Sequence, residues 1–171
     1  MHGSKVIEAS KTFESSIEAD GLVSDKSNQS LWVYTADCIP ILFADPINSI
    51  VGASHAGWKG LTKNILLETI QKLESLGSNK NELIIALGPS ISKSNYQVNI
   101  DLADPIYQSI CNKHESKVFN DKDKVLFLAR SGIIDYQNDP IKLLLDIRLA
   151  AANQLYKAGI NNKQISISPL C

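Results

Sequence analysis

The sequence predicts an α/β fold built on a mixed β-sheet. Strand-like and helix-like segments alternate along its 171 residues, with no internal repeat and no low-complexity tract. Residues 39–54 read as a β-hairpin, which makes the sheet mixed rather than purely parallel. Hydrophobic residues make up 44% and charged residues 20% of the chain, close to globular averages, and the length suits one domain covering residues 1–171.

Taken in order, Leu31-Trp32-Val33-Tyr34-Thr35 is β-branched and aromatic and reads as a first strand. Ile39 to Ala44 continues as a second apolar run. Asp45-Pro46-Ile47-Asn48-Ser49 supplies turn chemistry, because proline presets φ while Asp and Asn hydrogen-bond nearby backbone. Ile50 to Ser54 follows as the return strand. These runs are apolar on nearly every residue, which predicts a sheet covered on both faces. From Leu61 the period changes: Ile65, Leu66, Thr69, Ile70, Leu73 and Leu76 recur at helical spacing, with Gly77 at the C-cap. Glu82 to Leu87 reads as a buried strand halted by Gly88-Pro89, Asp101 to Cys111 as a helix, and Val125 to Leu128 as a strand. Ile141 to Lys157 is the strongest helical pattern, ending before Gly159, and Gln164 to Ser168 is a last short strand. Ser24–Ser30 and Asn112–Lys124 are polar and read as exposed loops.

Composition excludes several classes. With 17 Lys and Arg against 18 Asp and Glu, the net charge is −1. The broad cationic footprint of a general nucleic-acid binder is absent, so no nucleic-acid partner is expected. No apolar run reaches the roughly 18–20 residues of a membrane span, and the first residues lack the apolar core of a signal peptide. Cys38, Cys111 and Cys171 form an odd set in a medium-length chain, which argues against a disulfide framework. The expectation is a cytoplasmic protein.

The richest stretch for chemistry runs from Thr35 to Gly60. Asp37 and Cys38 end one apolar strand, and Ser54-His55-Ala56-Gly57-Trp58-Lys59-Gly60 ends another and opens a helix. Reactive side chains at the ends of buried strands are where sites on sheet scaffolds form. Asp37, Cys38 and His55 are therefore proposed as one cluster. Gly57 and Gly60 flank Trp58 before a helix, where unpaired backbone N–H groups can receive an anion. A cysteine with a histidine serves either as a thiolate nucleophile or as a metal site. Each residue alone has a plainer reading: Cys38 as a packed core residue, His55 as hydrogen-bonded structure, Asp37 as a turn carboxylate, Gly57–Gly60 as a tight turn. No zinc-deaminase, H-E-x-x-H, G-x-G-x-x-G, Walker, G-x-S-x-G or C-x-x-C motif is present. His114 sits in a charged tract and reads as solvated surface.

The ordered set His2-Gly3, Ala19-Asp20-Gly21-Leu22-Val23-Ser24, Thr35-Ala36-Asp37-Cys38-Ile39-Pro40, His55-Ala56-Gly57-Trp58-Lys59-Gly60 and Leu87-Gly88-Pro89-Ser90-Ile91 goes beyond composition. It resembles the laccase-domain family, the multicopper polyphenol oxidoreductases now associated with purine nucleoside phosphorylase activity. Asn95-Tyr96-Gln97-Val98 and the stretch from Leu145-Asp146 through Asn153, Leu155 and Gly159 extend the resemblance over nearly the whole chain. It implies an α/β/α sandwich with a mixed sheet, and a zinc ion held by His2, Cys38 and His55. The spacings of 36 and 17 residues are too long for a local metal-finger signature, and the residues alone do not single out His2. As a group they leave a fourth tetrahedral position open, as catalytic zinc requires. Copper is rejected, because a multicopper oxidase needs several times the three histidines present. The resemblance implies phosphorolysis of adenosine, inosine, guanosine and methylthioadenosine, with adenosine deamination in some members. The implied partners are purine nucleosides and inorganic phosphate. Asp37 would act as acid on the departing purine, beside an anion site at Gly57, Trp58, Lys59 and Gly60.

The chain also departs from the family pattern. Lys59 stands where arginine is usual, replacing a bidentate fork with a point charge. Ser90 and Gln97 stand where cysteine and glutamate are common. The family carries a further segment before the His2-Gly3 position and continues beyond Cys171. The chain therefore reads as truncated at both ends, completed by a separately encoded N-terminal segment or prone to self-association. Two other readings follow: a cysteine hydrolase editing cell-wall precursors with Cys38 as nucleophile and His55 as base, and an inactive remnant.

Overall fold

The computed structural model describes residues 2–9, 17–111 and 119–171. Two sheets organise it. The larger has six strands: β1 (Val6–Glu8), β2 (Gly21–Ser24), β3 (Ile39–Asp45), β4 (Ile50–Ala56), β5 (Ile84–Leu87) and β9 (Ile165–Ile167). Their spatial order is β1-β2-β4-β3-β5-β9. The β1–β2 and β5–β9 pairs are parallel and the three between them antiparallel. The smaller is antiparallel, with β8 (Lys142–Leu145) between β6 (Gln97–Asn99) and β7 (Ile134–Tyr136). Among the described residues the α-helices are α1 (Trp58–Thr62), α2 (Ile65–Ser75), α3 (Ala103–Ile110), α4 (Asp121–Arg130) and α5 (Ile147–Lys157). The mixed α/β class with a mixed sheet is borne out.

The hairpin forms as the sequence predicts, with Ile39 opposite Ala56 and Asp45 opposite Ile50. Its turn is fastened by Asp45, whose Oδ1 accepts from the Ile47 and Asn48 N–H groups at 3.0 Å. Asp45 Oδ2 accepts from Asn48 Nδ2, Ser78 Oγ and the Asn79 N–H, tying the turn to the chain after α2. Helix α2 packs its Ile65, Leu66, Ile70 and Leu73 into the core against β1, β2 and β4. It ends in a Schellman motif: Gly77, at φ +102°, donates to Glu74 O and Ser78 donates to Leu73 O. Gly159 ends α5 in the same way, with Gly159 donating to Tyr156 O and Ile160 to Leu155 O. The buried cluster runs without a break from Val23 and Ile39 to Leu145, Leu155 and Ile160.

Several expectations are corrected. Leu31 to Thr35 is not a strand: no hydrogen bond reaches Leu31–Ala36 among the described residues, and Trp32 and Tyr34 are 83% and 93% exposed. Strand-forming composition cannot replace a neighbouring strand to pair with. β1 and β2 lie upstream instead, and Ser24, assigned to a loop, is the buried last residue of β2. The sheet is not covered on both faces among the described residues: exposure alternates along β3, and Leu42 and Ile84 are 55% and 56% exposed. Val125 to Leu128 lies within α4, which starts at Asp121 inside the predicted loop. Asn120 accepts from the Asp123 N–H as N-cap, and a short apolar run cannot by itself distinguish helix from strand. The helix predicted from Ile141 begins at Ile147. Asp146 caps it by accepting from the Leu149 N–H at 2.9 Å, and Lys142 to Leu145 forms β8. His114 and residues 112–118 of the predicted loop lie outside the described residues.

Candidate metal centre

The hairpin register builds most of the site. Pro40 pairs with His55, so Cys38, two residues earlier, lies across from Gly57 at the same end of the sheet. His2 reaches this end because Lys5 O, just before β1, accepts from the Asp20 and Gly21 N–H groups at 3.0 and 3.1 Å. One ligand atom from each of His2, Cys38 and His55 lies within 4.8 Å of the others. His2 Nε2 is 3.7 Å from Cys38 Sγ, and the two imidazoles meet edge-on with centroids 4.9 Å apart.

Asp20 organises this cluster and is nearly fully buried. Its Oδ1 lies 3.1 Å from His55 Nδ1, its Oδ2 accepts from the Gly3 N–H at 2.8 Å, and its backbone carbonyl accepts from the His55 N–H at 2.8 Å. With Nδ1 engaged, His55 has Nε2 left for a metal, the arrangement by which carboxylates orient ligand histidines. One carboxylate thus holds His55 directly and the residue next to His2. The sequence alone shows Asp20 within a motif and assigns it no role; its burial is set by long-range pairing that leaves no local pattern.

The glycines are explained by space. An ideal Cβ on Gly57 would fall 2.7 Å from Cys38 Sγ and 3.1 Å from His2 Cδ2; one on Gly60 would fall 3.1 Å from Gly3 O. Both positions are therefore closed against the cluster and the segment carrying His2. Trp58 is half-buried beside them, with Lys59 Nζ 5.4 Å from its ring centre. Asp37 is exposed, and its backbone carbonyl accepts from the Ile91 N–H at 3.0 Å.

Electrostatics distinguish the roles open to Cys38. Burial, then the carboxylates of Asp37 and Asp20, push its thiol up. An activated nucleophilic cysteine needs the opposite shift. One thiolate with two imidazoles is a donor set compatible with zinc. Nearby, burial followed by the charges of Cys38 and Asp37 pushes the Tyr96 phenol up to about 12. The three candidate ligands open onto a cavity of about 420 Å³, also lined by Trp32 and Tyr34.

Fold and cluster together define a mixed α/β protein with a His–Cys–His group close enough to bind a metal. The chain belongs to the multi-copper polyphenol oxidoreductase laccase family, whose model matches residues 1–171. Among curated relatives, a purine nucleoside phosphorylase of Synechocystis sp. is 35% identical over 154 residues, 90% of this chain and 58% of that protein. The purine nucleoside phosphorylase YlmD of Bacillus subtilis is 31% identical over 89% of this chain and 49% of its own length. The chain thus spans about half to three-fifths of these relatives. The crystal structure of Bacillus licheniformis hypothetical protein YfiH superposes with a TM-score of 0.80 at 26% identity, covering 100% of this chain and 61% of that one. YlmD from Geobacillus stearothermophilus, at 23% identity, has the same fold with a TM-score of 0.79, over 99% of this chain and 60% of its own. No described helix is long and apolar enough to cross a membrane.

Proposed function

We propose that this chain carries the metal-dependent core of a purine nucleoside phosphorylase acting on adenosine, inosine, guanosine or methylthioadenosine with inorganic phosphate. The observation that carries this reading is the His2–Cys38–His55 cluster, with Asp20 fixed on His55 Nδ1. His2, Cys38 and His55 would hold zinc, which supplies positive charge for the attacking oxygen when bound. Asp20 keeps the His55 ring in the tautomer that leaves Nε2 a lone pair. Lys59 and the backbone N–H groups at the start of α1, from Gly57 to Gly60, would receive the phosphate dianion. In the reaction the C1′–N9 bond breaks, a phosphate oxygen bonds to C1′, and the electron pair departs with the purine. Asp37, exposed and adjacent to Cys38 in the chain, would deliver the proton the departing base takes up. Adenosine deamination would use the same cluster with water as nucleophile and ammonia as leaving group.

The test measures hypoxanthine released from inosine by the zinc-loaded protein, with and without phosphate. Phosphate-dependent release that Cys38→Ser abolishes, in a variant whose circular dichroism is unchanged, supports the reading. Full activity in that variant overturns it. The raised Cys38 thiol argues against the cysteine-hydrolase alternative.

A further inference from the structure

A second cavity, of about 450 Å³, lies beside the metal centre but contains none of its three candidate ligands. Its walls include Trp58, Tyr96, Val98 and Leu102, and its polar groups include Asn99 and Asp101. Trp58 directly follows Gly57, the residue closed against Cys38 and His2, and Tyr96 lies near enough to Cys38 and Asp37 to feel their charges. A larger cavity, about 670 Å³ between α3, α4 and β7, contains none of the candidate ligands and shares only Asp101 with this one.

We propose that the cavity between Trp58, Tyr96, Asn99 and Asp101 is a purine-ring subsite, with the two aromatic side chains as stacking walls and Asn99 and Asp101 reading the edge of the base. The proposal rests on the nucleoside reading above. The volume lies within the roughly 300–1,000 Å³ of small-molecule sites, and apolar walls with a few placed polar groups are how such sites are built. Two aromatic walls suit a flat heteroaromatic ring, because every base presents a π-face that stacks on such side chains. The polar pair is available for it. Lys142 Nζ donates to Asn99 Oδ1 at 2.6 Å, which fixes the amide and leaves Nδ2 as a donor. The Asp101 carboxylate accepts no hydrogen bond from any described residue. A donor amide beside an acceptor carboxylate complements a purine edge that offers an acceptor beside an N–H: O6 and N1–H of hypoxanthine, or N7 and N6–H of adenine. The backbone is held for the task, since the Leu145 N–H donates to Tyr96 O at 3.0 Å and locks the start of β6 onto β8.

Trp58 reports on the site directly. The chain has two tryptophans, so Trp32→Phe leaves Trp58 as the sole indole emitter. In that background, titration of the zinc-loaded protein with hypoxanthine and with adenine should quench emission saturably, with one site by calorimetry. Asn99→Ala and Asp101→Ala, both at exposed positions, should each weaken hypoxanthine binding about tenfold, about 1.4 kcal/mol, without changing zinc content. Trp58→Leu should abolish base binding measured by calorimetry. Unchanged affinity in Asn99→Ala and Asp101→Ala, or no quenching at millimolar base, overturns the subsite. Phosphorolysis that persists without base binding removes the subsite and leaves the nucleoside reading standing. Base binding weakened by these variants in a protein with no phosphorolysis upholds the subsite and removes that reading.

Discussion

Gly57→Ala adds a single methyl group at the point where the proposed ligands converge. The backbone there has φ −86° and ψ 173°, which any residue adopts, so the cost comes from space alone. The new Cβ would sit 2.7 Å from Cys38 Sγ and 3.1 Å from His2 Cδ2, against ordinary contact distances of about 3.5–4.0 Å. Relieving the two contacts moves both side chains by roughly 0.5–1 Å, whereas metal–ligand distances tolerate only about ±0.2 Å. Loss of a merely supporting partner costs about 10–100-fold in metal affinity. Displacing two ligands at once should therefore raise the zinc Kd at least about 100-fold, about 2.8 kcal/mol. Competition with a chromophoric chelator measures this, and the cobalt-substituted protein reports thiolate coordination separately. The metal-free variant should melt within about 2–4 °C of the parent, because the two side chains that move are exposed and half-buried rather than in the core. Zinc bound by Gly57→Ala with parental affinity would refute the assignment of Cys38 and His2 as ligands of one ion.

Other perturbations probe other parts of the structure. Asp20→Asn, which places an amide against His55 Nδ1 and the Gly3 N–H, should lower zinc affinity about 10–100-fold by the same chelator competition; no change would separate Asp20 from the site. Asp37→Asn should reduce kcat for inosine phosphorolysis more than it raises KM, and an effect confined to KM would remove its role as acid. Asp45 is held well below the usual carboxylate range, first by the Asn48 side chain and backbone N–H and then by Ser78 and Asn79. A depressed folded pKa gives stability that is present above the unfolded value of about 3.9 and is lost as pH falls through the folded one. Thermal scans from pH 6 to pH 2 should accordingly fall less steeply for Asp45→Ala, which at pH 6 melts at least about 4 °C below the parent. Any self-association of the chain in sedimentation velocity should fall when Leu42 and Ile84, exposed on the outer sheet face, are replaced with glutamate; an unchanged distribution would show that this face does not mediate it.

The hairpin, α2 and the two glycine stops were legible because local chemistry dictates them. Asp45 and Pro46 make the turn, helical spacing makes the buried stripe, and Gly77 and Gly159 supply the positive φ that ends each helix. Cys38 and His55 were legible for a related reason, since one directly precedes a hairpin, the other lies in its return strand, and its register brings them together. His2 was legible only through family resemblance, and Asp20 acquires a role only in the fold. What joins these two residues to the cluster is pairing between segments 15 or more residues apart, which leaves no periodic trace. Leu31–Thr35 and Val125–Leu128 failed for the opposite reason. Their composition favours strands, but the first has no partner strand and the second is captured by an Asn120-capped helix.

The unequal tethering of the three candidate ligands has a kinetic consequence. Cys38 and His55 belong to one hairpin and come together as soon as it zips. His2 is held by a short segment anchored through Gly3, Lys5 and the three-residue strand β1. An ion captured by the hairpin pair would wait for this arm, and the arm would be the first contact to let go. β1 is an edge strand of three residues, paired on one side only, and short edge strands open at far lower free energy than central ones. Exchange of the ion with solution would therefore keep pace with the opening of β1 from β2, and shortening or reinforcing that one strand would set how long the ion stays without altering any group that touches it.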